Sequence, residues 1–201
     1  MADTDARSEV LARIRSALGS SPAVPEVPRG YRRADPARAG DLRLLADRLE
    51  DYKATVVHTT AGALAADLAA AVDGAGPLIV PPGLPFDVPG AVVDDGTLDA
   101  AALDAFAGVV TGCAAAVAET GTIALDASPG QGRRAITLVP DRHYCVVRAD
   151  QVVQSVPDLL ARLDPGRPLT LVSGPSATSD IELDRVEGVH GPRTLVVFLV
   201  A

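Results

Sequence analysis

One uninterrupted apolar run decides the fold: Thr194-Leu195-Val196-Val197-Phe198-Leu199-Val200. A strand with one face in water alternates apolar and polar residues, whereas this run is apolar throughout after its first residue. Similar short runs lie at residues 78–80 and 169–172. Because strands of this kind need cover on both faces, the run predicts a mostly parallel sheet with helices on both sides.

Helical and β-rich segments alternate along the chain before this run. Leu42, Leu45 and Leu49 share one helical face, and further helices are predicted at residues 64–72, 98–106 and 157–163. Short strands are predicted between them at residues 55–59, 92–93, 122–125, 135–139 and 144–147. The alternation predicts a three-layer α/β fold.

The first forty residues differ from the rest in composition and in the pattern of their apolar residues. Residues 5–18 have the spacing of an amphipathic helix, and Gly19 is placed to end it. Residues 19–40 contain four prolines and few large apolar side chains. The sequence therefore predicts a helical, proline-rich arm over residues 1–40 and an α/β domain over residues 41–201. We expect the arm to contribute little to the folding of that domain.

Composition excludes several classes of function. The net charge of −8 argues against nucleic acid as a main partner. The two cysteines, Cys113 and Cys145, fall short of the roughly four thiolates that an iron–sulfur cluster usually takes, so we expect this chain to bind no cofactor by itself. The acidic residues at the start and the lack of a long apolar run predict a cytoplasmic protein without a membrane span.

The first candidate site lies between two apolar segments. Glu119, Thr120, Gly121 and Thr122 combine a carboxylate, two hydroxyls and a glycine at a predicted strand end or tight turn. Ligands of open α/β sheets bind at strand ends, and glycine allows their close approach. The alternative is an ordinary hairpin in which Glu119 is solvated or caps the turn.

The second candidate site follows the predicted strand at residues 169–172. It offers hydroxyls, a glycine and a carboxylate ahead of a possible helix start, a layout that binds anions: Ser173, Gly174, Ser176, Thr178 and Asp180. A capping box formed by Ser179 and Glu182 is the structural alternative.

A third candidate site surrounds His190 and Arg193, in a loop shaped by two glycines and a proline. His190 could serve as a general acid or base, and Arg193 could bind a carboxylate or phosphate through its guanidinium fork. The alternative is a loop that only caps the last strand. The three histidines are too widely spaced to predict a metal site. We expect Glu119, Ser176, Asp180 and His190 to line one cleft, because loops at one edge of a sheet converge.

Four segments resemble the lactate utilization (LUD) domain in order and spacing. They are residues 112–123 (GCAAAVAETGTI), 138–147 (LVPDRHYCVV), 173–182 (SGPSATSDIE) and 188–192 (GVHGP). The chain is thereby identified as resembling the lactate utilization protein C family, a short branch without a cysteine-rich ferredoxin-like region.

The resemblance implies a fold similar to that of the sugar-isomerase and CoA-transferase group. It also implies a role beside two iron–sulfur proteins that oxidise L-lactate to pyruvate, with the clusters in those partners and a small anionic ligand bound here. A glutamate can be the nucleophile in the CoA-transferase group, which makes Glu119 a catalytic candidate by fold analogy, with His190 as a second.

Two alternatives remain open at this point. One is a free-standing enzyme that acts on CoA esters or phosphorylated small molecules. The other is an assembly module whose arm binds a partner. Whether the chain has a catalytic step of its own is likewise open.

Overall fold

The structure is a computed structural model that describes residues 3–20, 24–178, 186–187 and 190–201. The chain forms two compact units, Met1–Arg32 and Arg33–Ala201. The first unit contains helix α1 (Asp3–Leu18). Gly19 follows it with a φ of +71° and donates its N–H to the carbonyl of Arg15. The predicted N-terminal helix is therefore present.

The second unit is an α/β domain. Its helices are α2 (Leu42–Asp51), α3 (Leu64–Val72), α4 (Ala100–Asp104) and α5 (Val156–Arg162). Its strands are β1 (Thr55–Thr59), β2 (Leu78–Val80), β3 (Val92–Val93), β4 (Gly108–Thr111), β5 (Ala115–Val117), β6 (Thr122–Leu125), β7 (Arg142–Arg148), β8 (Val152–Val153), β9 (Thr170–Val172), β10 (Ala177–Thr178), β11 (Val186–Glu187) and β12 (Thr194–Val200). Within the described ranges, none of the helices is both long and apolar enough to cross a membrane.

A six-stranded parallel sheet forms the centre of the domain, in the order β1-β12-β7-β4-β2-β3. Strand β12 lies between β1 and β7, and its side chains divide between the two faces. Leu195, Val197 and Leu199 pack with α2 on one face, whereas Phe198 and Val200 pack with α3 on the other. The predicted strand, buried on both faces and parallel to its neighbours, is confirmed.

A second, smaller sheet covers part of the α2 face, in the order β8-β5-β6-β9. Ala116 and Ile123 pack against the main sheet, while Ala115 and Val117 pack with Leu159 of α5. Its β5–β6 and β6–β9 pairs are antiparallel, so the fold is α/β and mostly parallel, as predicted. On this face the covering layer consists of helices together with the small sheet, whereas the sequence predicted helices alone.

One predicted strand is wrong: residues 135–139 lie in a 3₁₀ helix, Arg134–Thr137, and its C-terminal flank. The Arg134 guanidinium donates to the carbonyl and the hydroxyl of Thr137, and the Thr137 hydroxyl donates to the Arg134 carbonyl. These bonds close the turn locally, while Ile136 is buried against Leu103 of α4. Local side-chain bonds of this kind compete with strand pairing.

The end of the predicted arm contacts the α/β domain. The backbone N–H of Asp35 donates to Asp158 Oδ1 over 2.7 Å, and that of Asp41 donates to Gln154 Oε1 over 3.1 Å. Ala39 forms a β-bridge with Val153. Residues 33–40 thus belong to the second compact unit.

Candidate functional site

Glu119 lies in the hairpin turn between β5 and β6. Its backbone N–H donates to the carbonyl of Gln154 over 3.1 Å. Arg38 Nη1 approaches its Oε1 to 3.7 Å, and the side chain of Glu119 is 28% exposed. The turn therefore holds a half-buried carboxylate beside a cation, open to solvent on one side.

Gly121 lets this hairpin approach α2 closely. Its φ is +61°, and a Cβ on it would lie 2.8 Å from Arg48 Cβ. Any larger residue would have to shift the helix backbone. The cleft that results is lined by Arg48, Asp51, Tyr52, Glu119 and Thr120. Gly121 therefore shapes the cleft by its lack of a side chain.

A chain of hydroxyls leads away from this cleft. Thr120 Oγ1 donates to Thr122 Oγ1 over 2.8 Å, and Thr122 Oγ1 shares a 2.9 Å hydrogen bond with Ser173 Oγ. The antiparallel pairing of β6 with β9 places Thr122 and Ser173 together. Three residues predicted to bind a ligand are thus connected, although 51 positions separate Thr122 from Ser173.

A second cleft, of about 210 Å³, begins at Ser173. Its predicted members are Ser173, Gly174, Ser176 and His190, and Ser176 Oγ accepts the backbone N–H of His190 over 2.9 Å. This bond and the Ser176 N–H that donates to the carbonyl of Pro192 hold the two loops together. Ser176 and His190 therefore share a cleft, as predicted.

The second cleft also contains residues that the sequence reasoning left out: Arg134, Thr137 and His143. His143 Nε2 and Thr111 Oγ1 share a 2.7 Å hydrogen bond in the interior. Burial and the nearby charge of Arg134 lower the pKa of His143 to about 4, so its imidazole is neutral near pH 7. Burial also lowers the pKa of Arg134. The sequence held one signal for His143: it is a histidine next to an apolar strand segment, residues 144–147.

The other described residues predicted to form the site lie outside the cleft of Ser176 and His190. Glu119 lines the cleft at α2, not the one that contains Ser176 and His190. The fork of Arg193 binds Asp141, over 2.6 and 3.0 Å, and this pairing lowers the pKa of Asp141. Thr178 pairs through its backbone with Val186 in the β10–β11 ladder. Asp180 lies outside the described residues.

The single predicted cleft is therefore two clefts, connected by the hydrogen bonds from Thr120 through Thr122 to Ser173. The physical reason is sheet membership. Glu119 joins two strands of the small sheet, so it does not lie at an edge of the parallel sheet, where the convergence rule applies.

Comparison with known proteins identifies the family. Residues 87–200 match the model of the LUD domain. This chain belongs to the LUD domain family. Lactate utilization protein C of Deinococcus radiodurans is 47% identical over 209 aligned residues, which cover 98% of this chain and 96% of that protein. Lactate utilization protein C of Bacillus pumilus is 36% identical over 92 residues, or 42% of this chain and 38% of that one.

A solved relative has the same fold. The crystal structure of a DUF162 family protein from Deinococcus radiodurans superposes with a TM-score of 0.67 at 41% identity, over 80% of this chain and 96% of that one. The resemblance to the LUD family and the predicted fold class are thereby confirmed. The LUD match spans Glu119, Ser173, Ser176 and His190, so both clefts contain residues of the family domain.

Proposed function

We propose that this chain is the cluster-free component of an iron–sulfur system that oxidises L-lactate to pyruvate. The observation that carries the proposal is the near full-length, 47% identical match to a relative named Lactate utilization protein C. Oxidation of lactate releases two electrons, which need a redox carrier. The two cysteines here are buried thiols, fewer than a cluster usually takes, so two iron–sulfur partner proteins would carry the electrons.

The ligand proposed for this chain is a small carboxylate in the cleft of Ser173, Ser176 and His190. A volume of about 210 Å³ suits a molecule of a few heavy atoms. Arg134 brings a positive charge to the lining, and its hydrogen bonds to Thr137 use only one terminal nitrogen. Among the described residues none accepts its other N–H groups, which leaves them for a carboxylate. His143 belongs to the same lining and, being neutral near pH 7, adds no charge to it.

His190 is the proposed general base for the hydroxyl or α-proton of lactate. Its side chain is exposed at the cleft, while its backbone is fixed by Ser176. A base must reach the proton that it removes, which this position allows. Glu119 stands beside Arg38 in the neighbouring cleft and is the second candidate for a catalytic role.

Reconstitution with the two iron–sulfur partners tests the proposal. We expect the three proteins to co-purify and lactate-dependent reduction of a dye acceptor to require this chain. The variants His190→Gln and Glu119→Gln should abolish the activity with melting temperatures nearly unchanged, because His190 is exposed and Glu119→Gln keeps the shape of the side chain. His58→Gln, an exposed change on β1, is the matched control and should keep full activity.

Two results would contradict the proposal. One is a partner pair that oxidises lactate equally well without this chain. The other is full activity of both cleft variants in the complete system, which would favour an assembly module. Turnover of CoA esters by the isolated chain would instead favour the free-standing enzyme.

A further inference from the structure

A larger cavity, of about 540 Å³, opens at the carboxyl edge of the parallel sheet. Its lining includes Ala61 after β1, Phe86 after β2, Gly112 after β4, Arg148 at the end of β7 and Val200 at the end of β12. Open α/β sheets bind ligands outside the carboxyl ends of their strands. The volume lies within the range of sites for organic ligands, roughly 300–1,000 Å³. The cavity shares no lining residue with the two clefts described above.

One wall of this cavity is apolar. Leu64, Val146 and Val200 belong to the buried cluster between α3 and the main sheet, and Phe86 packs against that cluster while partly exposed. An apolar body that covered this wall would be removed from water together with it, which favours binding by about 25 cal/mol per Å². The wall therefore selects a ligand with a hydrophobic part.

The charged residues of the lining carry an excess positive charge. Arg148 binds Asp150 through two hydrogen bonds of 3.0 Å, and Asp126 pairs with Arg167 at 3.4 Å. Arg162, also in the lining, donates only Nη1, to the backbone carbonyl of Asp150 over 2.8 Å. Among the residues described, no carboxylate lies within ion-pair distance of Arg162. Within the described part of the chain, four of its five N–H donors are left for an anion.

The loop beside the cavity has a strained, fixed backbone. Ala127 adopts a φ of +57°, a conformation that costs a non-glycine residue about 1 kcal/mol or more and that clusters at functional sites. Hydrogen bonds among Asp126, Ser128 and Gln131 hold it there, and Gln131 is only 3% exposed. Asp126, Ser128 and Gln131 line the cavity, so these hydrogen bonds hold the strained backbone next to it.

We propose that this cavity binds an organic anion with an apolar body, a ligand larger than lactate. Its acidic group binds Arg162, and its body lies on Leu64, Phe86 and Val200. The site goes beyond the lactate role proposed above, since it depends on different residues and on a ligand of different size.

Binding of 8-anilinonaphthalene-1-sulfonate to the isolated full-length chain tests this proposal. The dye combines an aromatic body with one sulfonate, and N-phenyl-1-naphthylamine is its uncharged analogue. We expect one saturable site for the sulfonate dye and affinity at least about tenfold weaker for the uncharged analogue, since a charge-assisted hydrogen bond is lost. Excess L-lactate should leave the dye bound.

Variants assign the binding to residues. Arg162→Gln should weaken the sulfonate dye by at least about tenfold and leave the uncharged analogue unchanged. Phe86→Ala should weaken both dyes, and Arg43→Gln, an exposed arginine on α2, is the matched control. Circular dichroism melting of each variant, without dye, shows that the fold is intact.

Three outcomes would overturn the proposal: many weak dye sites, equal affinity for both dyes, or unchanged sulfonate binding in Arg162→Gln. Displacement by lactate would overturn it as well, because the cavity would then be the lactate site. The dye assay uses no partner protein, so its failure is distinguishable from failure of lactate oxidation in the reconstituted system.

Discussion

His143 makes the stability of this fold depend on pH. Its side chain is 2% exposed on β7, and burial together with the charge of Arg134 lowers its pKa from the usual 6.5 to about 4. Near neutral pH the folded and the unfolded chain both hold the neutral imidazole. As the pH falls below about 6.5 the unfolded chain takes up a proton that the folded chain does not, so the free energy of unfolding decreases until the pH approaches 4.

The size of this effect follows from the two pKa values. The full difference between 6.5 and about 4 corresponds to about 3 kcal/mol. Between about pH 7.5 and about pH 5 the loss is about 2 kcal/mol. Hydrogen bonds and ion pairs lower the pKa values of Asp94, Asp141 and Asp158 below their usual 3.8, so their stabilisation is lost only at pH values below this window. The histidine therefore dominates.

Urea unfolding at the two pH values measures the loss. We expect about 2 kcal/mol for the unaltered chain and close to zero for His143→Gln, whose total stability is lower but independent of this titration. His58→Gln is the control and should lose as much as the unaltered chain. An equal pH dependence in His143→Gln, or an NMR titration of the His143 ring near pH 6.5, would refute the reasoning.

Three further predictions concern packing, the arm and metal content. Gly174→Ala should lower the free energy of unfolding by about 3 kcal/mol, because its φ is +83° and a Cβ would lie 2.6 Å from the Tyr52 carbonyl oxygen; urea titration measures the loss. Gly74→Ala, with a φ of +67° and open space, isolates the backbone strain at about 1 kcal/mol. Deletion of residues 1–32 should leave the melting temperature within a few degrees, whereas deletion of residues 1–40 should lower it further. Anaerobically purified protein should contain no iron by elemental analysis.

Each of these has an opposing result. Equal losses of unfolding free energy in the two glycine variants would show that Tyr52 moves away from the added Cβ at little energetic cost. Equal melting temperatures for the two deletions would mean that the bonds from Asp35 and Ala39 contribute nothing to stability. Stoichiometric iron and sulfide in the monomeric protein would contradict the expected absence of a cluster.

The central sheet could be predicted from sequence because its signal is local. Residues 195–200 are apolar on both faces, which requires burial on both sides and favours parallel neighbours. Helix α1 likewise follows from local spacing and from the position of Gly19. The secondary structure of such segments is determined by their own residues and depends little on which distant residues they contact.

The small sheet and the division of the cleft could not be predicted in the same way. Strands β5 and β6 are buried along their whole length and apolar apart from Thr122, so their composition matches that of parallel strands. Only pairing with β8 and β9 assigns them to a separate sheet. His143 was missed for a related reason, because its role depends on Thr111, which lies 32 positions earlier.

The position of β12 constrains how the protein is made. A ribosome delivers β1 and β7 long before β12, yet these two strands have no contact in the sheet until β12 enters between them. During synthesis both expose unpaired, apolar edges of the kind that aggregate or attract chaperones. The main sheet can close only after residue 200 has left the exit tunnel. A nonsense mutation ahead of Thr194 would release a chain in which β1 cannot join the four strands β7-β4-β2-β3 through β12.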